Sequence, residues 1–408
     1  MKSQLLILGN GFDLQCGLKS NYEVFFRQEI LDVIGEKYGF INTRIDAVGF
    51  WEELLAEYYK NYRQTEYPWY VVESIIKDTL WEIFGDENCI ADQALNLALN
   101  NTEPKFPKGN DAIYSFLMKY CFNFFLQLPQ RVKHRADERT LNLLMEKLLQ
   151  ELHNFERRFC KYIKDNIVNP QNEKELNETY IVNALNLLAR LTGFSTKNYT
   201  HISDIFDERK TLITTSGEPR YENGLACEFN NLKSTYILSF NYTALFDLLK
   251  IKSPCRAYSN VHGKLCNKAC LENCDYSNII FGIDDKFIQS QDEYKDLRIF
   301  SKTYRKMFDT SEPESVLPPS DNPVDIKFYG HSLSEADYSY FQSIFDYYNL
   351  YGNSKVSLYF YYSEKYDPTD AVYRLLNEYG RTLTNQDQGK NLIHKLLLEN
   401  RIHISKID

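Results

Sequence analysis

A chain of 408 residues is long enough for roughly two to three domains and a substantial core. Its 43% hydrophobic and 25% charged residues, with 31 Tyr and 26 Phe, exclude a disordered or low-complexity protein. A net charge of −9 excludes general binding to the nucleic-acid phosphate backbone, which needs a basic surface.

The first apolar run, Leu5-Leu6-Ile7-Leu8, is too short for a helix and predicts a strand buried on both faces. Gly9 and Gly11 follow at once and permit a sharp turn with close approach of another group. From Asp13 a helix is expected, its free N–H groups facing an anion. Strand, glycine turn and helix together are how a Rossmann-type sheet receives a nucleotide, although a plain tight turn would use the same residues. In the nucleotide reading Gly11→Val would fill the space of a pyrophosphate with little loss of stability.

The next two hundred or so residues carry the helical period, roughly three to four residues between apolar positions. Tyr22, Phe25, Phe26 and Ile30 form one stripe, Phe50, Trp51, Leu54, Leu55 and Tyr58 a second, and Val71, Ile75, Ile76, Leu80 and Ile83 a third. Residues 86–110 lose the period and contain Pro104, Pro107 and Gly109, so they predict a loop. Helices are expected again over Ile113–Leu128, from Glu138 to Ile167, and from Glu175 to Leu191. Residues 195–233 are polar and rich in turns, which predicts a surface connection. The basic cluster Arg131, Lys133, His134 and Arg135 is expected to be solvated.

From Ser234 onward short aliphatic runs alternate with helical stretches. Strands are predicted at Thr235–Phe240, Arg256–Val261, Ile279–Ile283, Val324–Tyr329 and Val356–Tyr362, with helices at Glu335–Tyr348, Thr369–Tyr379 and Lys390–Leu398. The fold class is therefore α/β: a doubly wound, mostly parallel, Rossmann-like sheet with a large all-helical insertion. Residues 1–20 and 234–408 would form the nucleotide-binding domain, and residues 21–233 the insertion. The first strand is expected to lie centrally, between strands far from it in sequence.

Ligands of such sheets bind at the carboxyl ends of the strands. Five predicted ends carry glycine or small polar residues: Gly9-Asn10-Gly11-Phe12-Asp13, Asn241-Tyr242-Thr243, His262-Gly263, Gly282-Ile283-Asp284-Asp285 and Gly330-His331-Ser332. Turn chemistry alone accounts for one such end, but poorly for five on a single edge. Asp284-Asp285 is the only carboxylate pair that a metal-dependent phosphohydrolase or nuclease would want.

The nine cysteines are odd in number and scattered, which fits reduced thiols and a cytoplasmic location. Cys266, Cys270 and Cys274 lack the Cys-x₂-Cys spacing of zinc knuckles. No metal is expected, and reduced structural thiols are the reading taken. Three thiols along one side of a helix remain the alternative. No apolar run reaches the ~18 residues that cross a bilayer, and no cleavable leader precedes the first strand, so no membrane association is expected.

In order and together, Ile7-Leu8-Gly9-Asn10-Gly11-Phe12-Asp13, Phe240-Asn241-Tyr242-Thr243, Val261-His262-Gly263, Ile280-Phe281-Gly282-Ile283-Asp284 and Tyr329-Gly330-His331-Ser332-Leu333, with Asp337 after it, resemble the AbiH family of bacterial phage-defence proteins. More distantly the same landmarks resemble the Sir2-like NAD-binding fold. The resemblance implies an abortive-infection effector that binds NAD and hydrolyses its N-glycosidic bond, or a sensor or scaffold that binds the nucleotide without turnover. It implies Asn241 and His262 as the catalytic pair, Asn241 at the nicotinamide ribose or a water and His262 as base. Nucleotide contacts would come from Gly9, Asn10, Gly11, Phe12, Asp13, Thr243, Asp284, Gly330, His331 and Ser332. A phage-derived trigger or a companion defence protein would be the partner, and self-association stays open. Thr243 stands where related Sir2-type sites often carry Asp; Asp13, Asp284 or Asp285 would have to supply that carboxylate.

Overall fold

Strand β1, Ser3–Leu8, contains the aliphatic run, and Leu5 to Leu8 are at most 1% exposed. In the computed structural model the described residues are 2–20, 22–27, 49–62, 69–85, 89–106, 111–129, 138–168, 173–193, 232, 234–249, 253, 255–265, 279–289, 295–307, 315–364 and 367–407. The polar stretch 195–233 apart from Leu232, the basic cluster at 131–135, and Cys266, Cys270 and Cys274 lie outside them.

Five further strands join β1: β2 (Thr235–Ser239), β3 (Ala257–Asn260), β4 (Val324–Tyr329), β5 (Val356–Tyr362) and β6 (Ile402–Lys406). The sheet order is β3-β2-β1-β4-β5-β6, and every neighbouring pair is parallel. Leu6 of β1 pairs with Ile237 of β2 on one side and with Lys327 of β4 on the other. This is the order of a doubly wound Rossmann-like sheet, whose strand direction of progress reverses between β1 and β4. The expected central place of β1 is what the pairing gives.

Side chains alternate between the two faces of each strand. Leu5 and Ile7 share a core with Val324, Ile326 and Phe328 of β4, Leu358 and Phe360 of β5, and residues of the helices Tyr338–Tyr347, Thr369–Thr382 and Gln386–Leu398. On the other face Lys327 Nζ lies 2.7 Å from Gln4 Oε1 and donates to the carbonyl of Leu191 at 2.8 Å. Gln4 Nε2 in turn donates to the carbonyl of Thr192 at 3.0 Å. These bonds satisfy two of the carbonyls that the helix Glu173–Thr192 leaves unpaired at its C-terminus, where a cation is also favoured.

The chain divides into two compact units, Met1–Ser20 with Ile163–Ile279 and Thr310–Asp408, and Asn21–Tyr162 with Ile280–Asp309. The sequence boundaries place all of 21–233 in the insertion. The contacts of Gln4 and Lys327 explain why the helix Glu173–Thr192 groups with the sheet instead.

The second unit holds the helices Phe50–Tyr62, Trp69–Phe84, Ile90–Leu99, Ala112–Gln127 and most of Glu138–Ile163. Ile90–Leu99 corrects the expected loop over 86–110: Ile90, Ala91, Ala94, Leu95 and Ala98 make a buried stripe of mostly small residues. Ile279–Ile283 is not a strand either; only an isolated bridge joins Ile283 to Ser301. Side chains satisfy its backbone. Glu156 accepts from Phe281 N at 2.7 Å, and Arg305 donates to the carbonyl of Phe281 at 2.7 Å while pairing with Glu156.

Candidate functional site

The ends of β1 and β4 meet directly. Gly9 N donates to the carbonyl of Tyr329 at 3.0 Å, Gly11 N to that of Gly330 at 2.8 Å, and Phe12 N to that of Gly9 at 2.9 Å. A Cβ on Gly11 would stand 2.6 Å from Gly330 Cα, and one on Gly9 would stand 2.4 Å from His331 Cα. The glycines therefore admit another stretch of backbone. Three N–H groups that could have faced a phosphate are already committed within the protein. The following helix, Asn10–Gln15, has only six residues. Asn10 Oδ1 accepts from Ser20 Oγ at 2.6 Å, and Phe12 is a core residue packed edge-on against Tyr329. A valine at position 11 would therefore collide with the Gly330 backbone, which corrects the expectation that Gly11→Val would cost little stability.

Polar side chains gather instead around Asp13, beside the ends of β2 and β3. Asp13 is 1% exposed, and its carboxylate accepts from the hydroxyls of Thr243 and Tyr180, the latter at 3.3 Å. Asn241 also hydrogen-bonds to it. Thr243 thus lacks a carboxylate of its own but holds that of Asp13. Asn260, at the end of β3, donates to the carbonyls of Asn241 and Thr243 at 2.6 and 3.0 Å and so fixes the turn that presents them. Asn241 Oδ1 and Asn260 Oδ1 are both buried with no hydrogen-bond partner among the described residues. A buried acceptor left unsatisfied costs about 1–3 kcal/mol, so each such atom asks for an explanation.

His262, 2% exposed, belongs to another group of side chains. Its Nε2 lies 2.7 Å from Asp337 Oδ1, while His331 Nε2 lies 3.4 Å from Asp337 Oδ2. Leu333 N donates to His331 Nδ1 at 2.9 Å. The turn that makes this bond has Gly330 at φ +69° and Leu333 at φ +54°, a left-handed conformation costing a non-glycine residue about 1 kcal/mol or more. Phe240 stacks edge-on against both imidazoles, with centroid distances of 5.4 Å to His262 and 4.5 Å to His331.

The structure therefore brings together Asp13, Thr243 and Asn241 around one carboxylate, and His262 with His331 around another. Gly9, Gly11 and Gly330 form the interlock beneath, and Ser332 is half-buried in the loop after it. Asp284 falls in the second compact unit, where its Oδ1 accepts from Lys286 N at 2.9 Å. Asp285, beside it, accepts from the Ser301 hydroxyl. Among the described residues no group of three or more His, Cys, Asp or Glu is arranged to hold a metal. No sequence pattern points to Tyr180, Asn260 or the role of Asp337. Asp337 already stood in the sequence motif, but nothing local marks it as a histidine partner.

A family model described as bacteriophage abortive infection AbiH matches residues 5–362. The chain belongs to the AbiH family. The match takes in Asp13 and Asp337 and the five residues named around them. No curated protein and no solved structure matches the chain. AbiH membership gives this protein its role in phage abortive infection. No helix among its described residues is long and apolar enough to cross a membrane.

The Asp13 carboxyl in this AbiH chain titrates unusually high. Burial pushes it from 3.8 up to about 6, outweighing the hydrogen bonds from Thr243, Tyr180 and Asn241 that favour the charged form. Between those two values the native state holds a proton that the unfolded chain has already released. The stability Asp13 contributes is therefore complete below its unfolded value and is lost as pH rises through about 6. The change is on the order of 2–3 kcal/mol. Asp13→Asn is expected to flatten this part of the stability profile. Denaturant unfolding at mildly acidic and at neutral pH measures it, and an unchanged difference between the two would mean a normal carboxyl.

Proposed function

We propose that this AbiH protein is an abortive-infection effector that binds NAD at the carboxyl ends of β2 and β3 and hydrolyses its N-glycosidic bond. The observation that carries this reading is Asn241 Oδ1, a buried acceptor without a partner among the described residues, at a strand end adjoining that of His262. A ribose hydroxyl or an attacking water would satisfy it. In the reaction, water adds to C1′ as the C1′–N bond breaks, nicotinamide leaves with the bonding electrons, and His262 takes the proton that water gives up. Asn241 orients the water or the ribose. Asp13, held by Thr243, supplies the carboxylate that Thr243 itself lacks. Because the amides of Gly9, Gly11 and Phe12 are committed, recognition in this reading comes from the β2 and β3 ends and from side chains rather than from the glycine turn.

The second reading is a nucleotide-binding sensor or scaffold without turnover, acting with a phage-derived trigger or a companion defence protein. The near-complete burial of Asp13, Asn241 and His262 favours it. Incubating purified protein with NAD and following nicotinamide release, with and without phage lysate, separates the two. Release above the protein-free rate is expected. Binding without release under both conditions would install the sensor reading, and neither binding nor release would remove NAD from the account.

A further inference from the structure

Asp337 occupies the N-cap position of the helix Tyr338–Tyr347, where an aspartate ordinarily accepts a hydrogen bond from a backbone N–H of the first turn. Its side chain makes no such cap bond. The carboxylate forgoes a stabilisation of about 1 kcal/mol and is directed at two imidazoles instead, with Oδ1 2.7 Å from His262 Nε2 and Oδ2 3.4 Å from His331 Nε2. All three side chains are at least nine-tenths buried.

The proton positions follow from donors and acceptors alone. Leu333 N can only donate, so His331 Nδ1 is the acceptor and the His331 proton sits on Nε2. Asp337 Oδ2 lies 3.4 Å from that nitrogen. Asp337 Oδ1 lies 2.7 Å from His262 Nε2, too close for a carboxylate to face a nitrogen lone pair, so a neutral His262 carries its proton on Nε2 and its lone pair on Nδ1. We infer that Asp337 is a positioning residue: it locks His262 in the Nε2–H form and makes Nδ1 the proton acceptor, while His331 serves to fix Asp337 and takes no part in the chemistry. The catalytic consequence rests on His262 being the base of the proposed NAD cleavage. The tautomer itself does not.

Asp337→Asn keeps the shape of the side chain but leaves one oxygen and one NH₂ group. Leu333 N still pins His331 as an Nε2–H donor, which claims the oxygen. The NH₂ group then faces His262 Nε2 and drives the His262 proton to Nδ1. The test is a long-range ¹H–¹⁵N correlation spectrum of the imidazoles in full-length protein labelled at histidine. His262→Gln and His331→Gln assign the signals. Wild type is expected to show His262 with a protonated Nε2 and a bare Nδ1, and Asp337→Asn to show the reverse pattern. In the same variant kcat for nicotinamide release should fall ~10²-fold or more with KM little changed, whereas His331→Gln should lose less than ~10-fold. A wild-type His262 protonated at Nδ1, or an even mixture of tautomers, would overturn the inference. So would an Asp337→Asn spectrum unchanged from wild type. The wild-type spectrum decides the matter even if Asp337→Asn does not fold, and it does so whether or not NAD proves to be the substrate.

Discussion

Gly11→Val and Gly330→Ala are expected to leave little folded protein. Gly330 sits at φ +69°, and a Cβ there would lie 2.4 Å from Phe12 N and 2.7 Å from the carbonyl carbon of Gly11. Those atoms belong to backbone and cannot swing aside as the end of a side chain could. Relief requires β1 and β4 to part at their carboxyl ends, which breaks the bond from Gly11 N to the Gly330 carbonyl. Left-handed strain, lost backbone bonds and disturbed packing of Phe12 together amount to roughly 4 kcal/mol or more, a large share of the stability of any domain. Gly11→Val acts on the same contact from the other side, with its Cβ 2.6 Å from Gly330 Cα. Soluble yield and denaturant unfolding measure both variants. A Gly11→Val protein with wild-type unfolding that no longer binds nucleotide would restore the phosphate role of the turn.

Asn241→Ala and His262→Ala are each expected to lower nicotinamide release by ~10²-fold or more, the scale of removing a positioned donor or base. NAD binding should survive in both, because the adenine and phosphate portions would be held away from the reacting bond. His331→Ala should be milder, since His331 touches Asp337 and the Leu333 amide rather than the proposed reaction centre. Single-turnover assays with separate calorimetric binding read the two effects apart. Equal turnover in wild type and both variants would show that the chemistry lies elsewhere. Equal inertness with retained binding would leave the protein a sensor.

Much of the sheet was legible because buried parallel strands announce themselves as short aliphatic runs. Leu5–Leu8 and Val324–Tyr329 are of this kind. Ile279–Ile283 carries the same signal and failed, because its backbone is satisfied by Glu156 and Arg305, and no local pattern reveals partners so distant in sequence. β6 was missed for the opposite reason: an edge strand with only Ile402 and Ile404 apolar, and those not buried, gives almost no pattern. At the site, Asn241 and His262 could be found from their places after strands. Tyr180 could not, since it lies on a helix whose other residues read as packing. The glycine turn was legible as a place of close approach, but spacing cannot tell whether the approaching group is a ligand or Gly330.

β1 is separated by long stretches of chain from both strands it pairs with. Its two neighbours are β2 at Thr235–Ser239 and β4 at Val324–Tyr329, so one edge waits for more than two hundred further residues to be translated and the other for more than three hundred. At ~5–20 residues per second the ribosome reaches β4 only after about 15 to 65 seconds. Until β2 emerges Leu5–Leu8 is an aliphatic strand with both edges open, and until β4 emerges one edge stays open, the kind of segment that aggregates or recruits a chaperone. No nascent fragment ending before β4 can close the Gly11–Gly330 contact. Assembly of the carboxyl edge is thereby tied to synthesis of β4, and the long sequence separation of these partners makes it a slow step in folding.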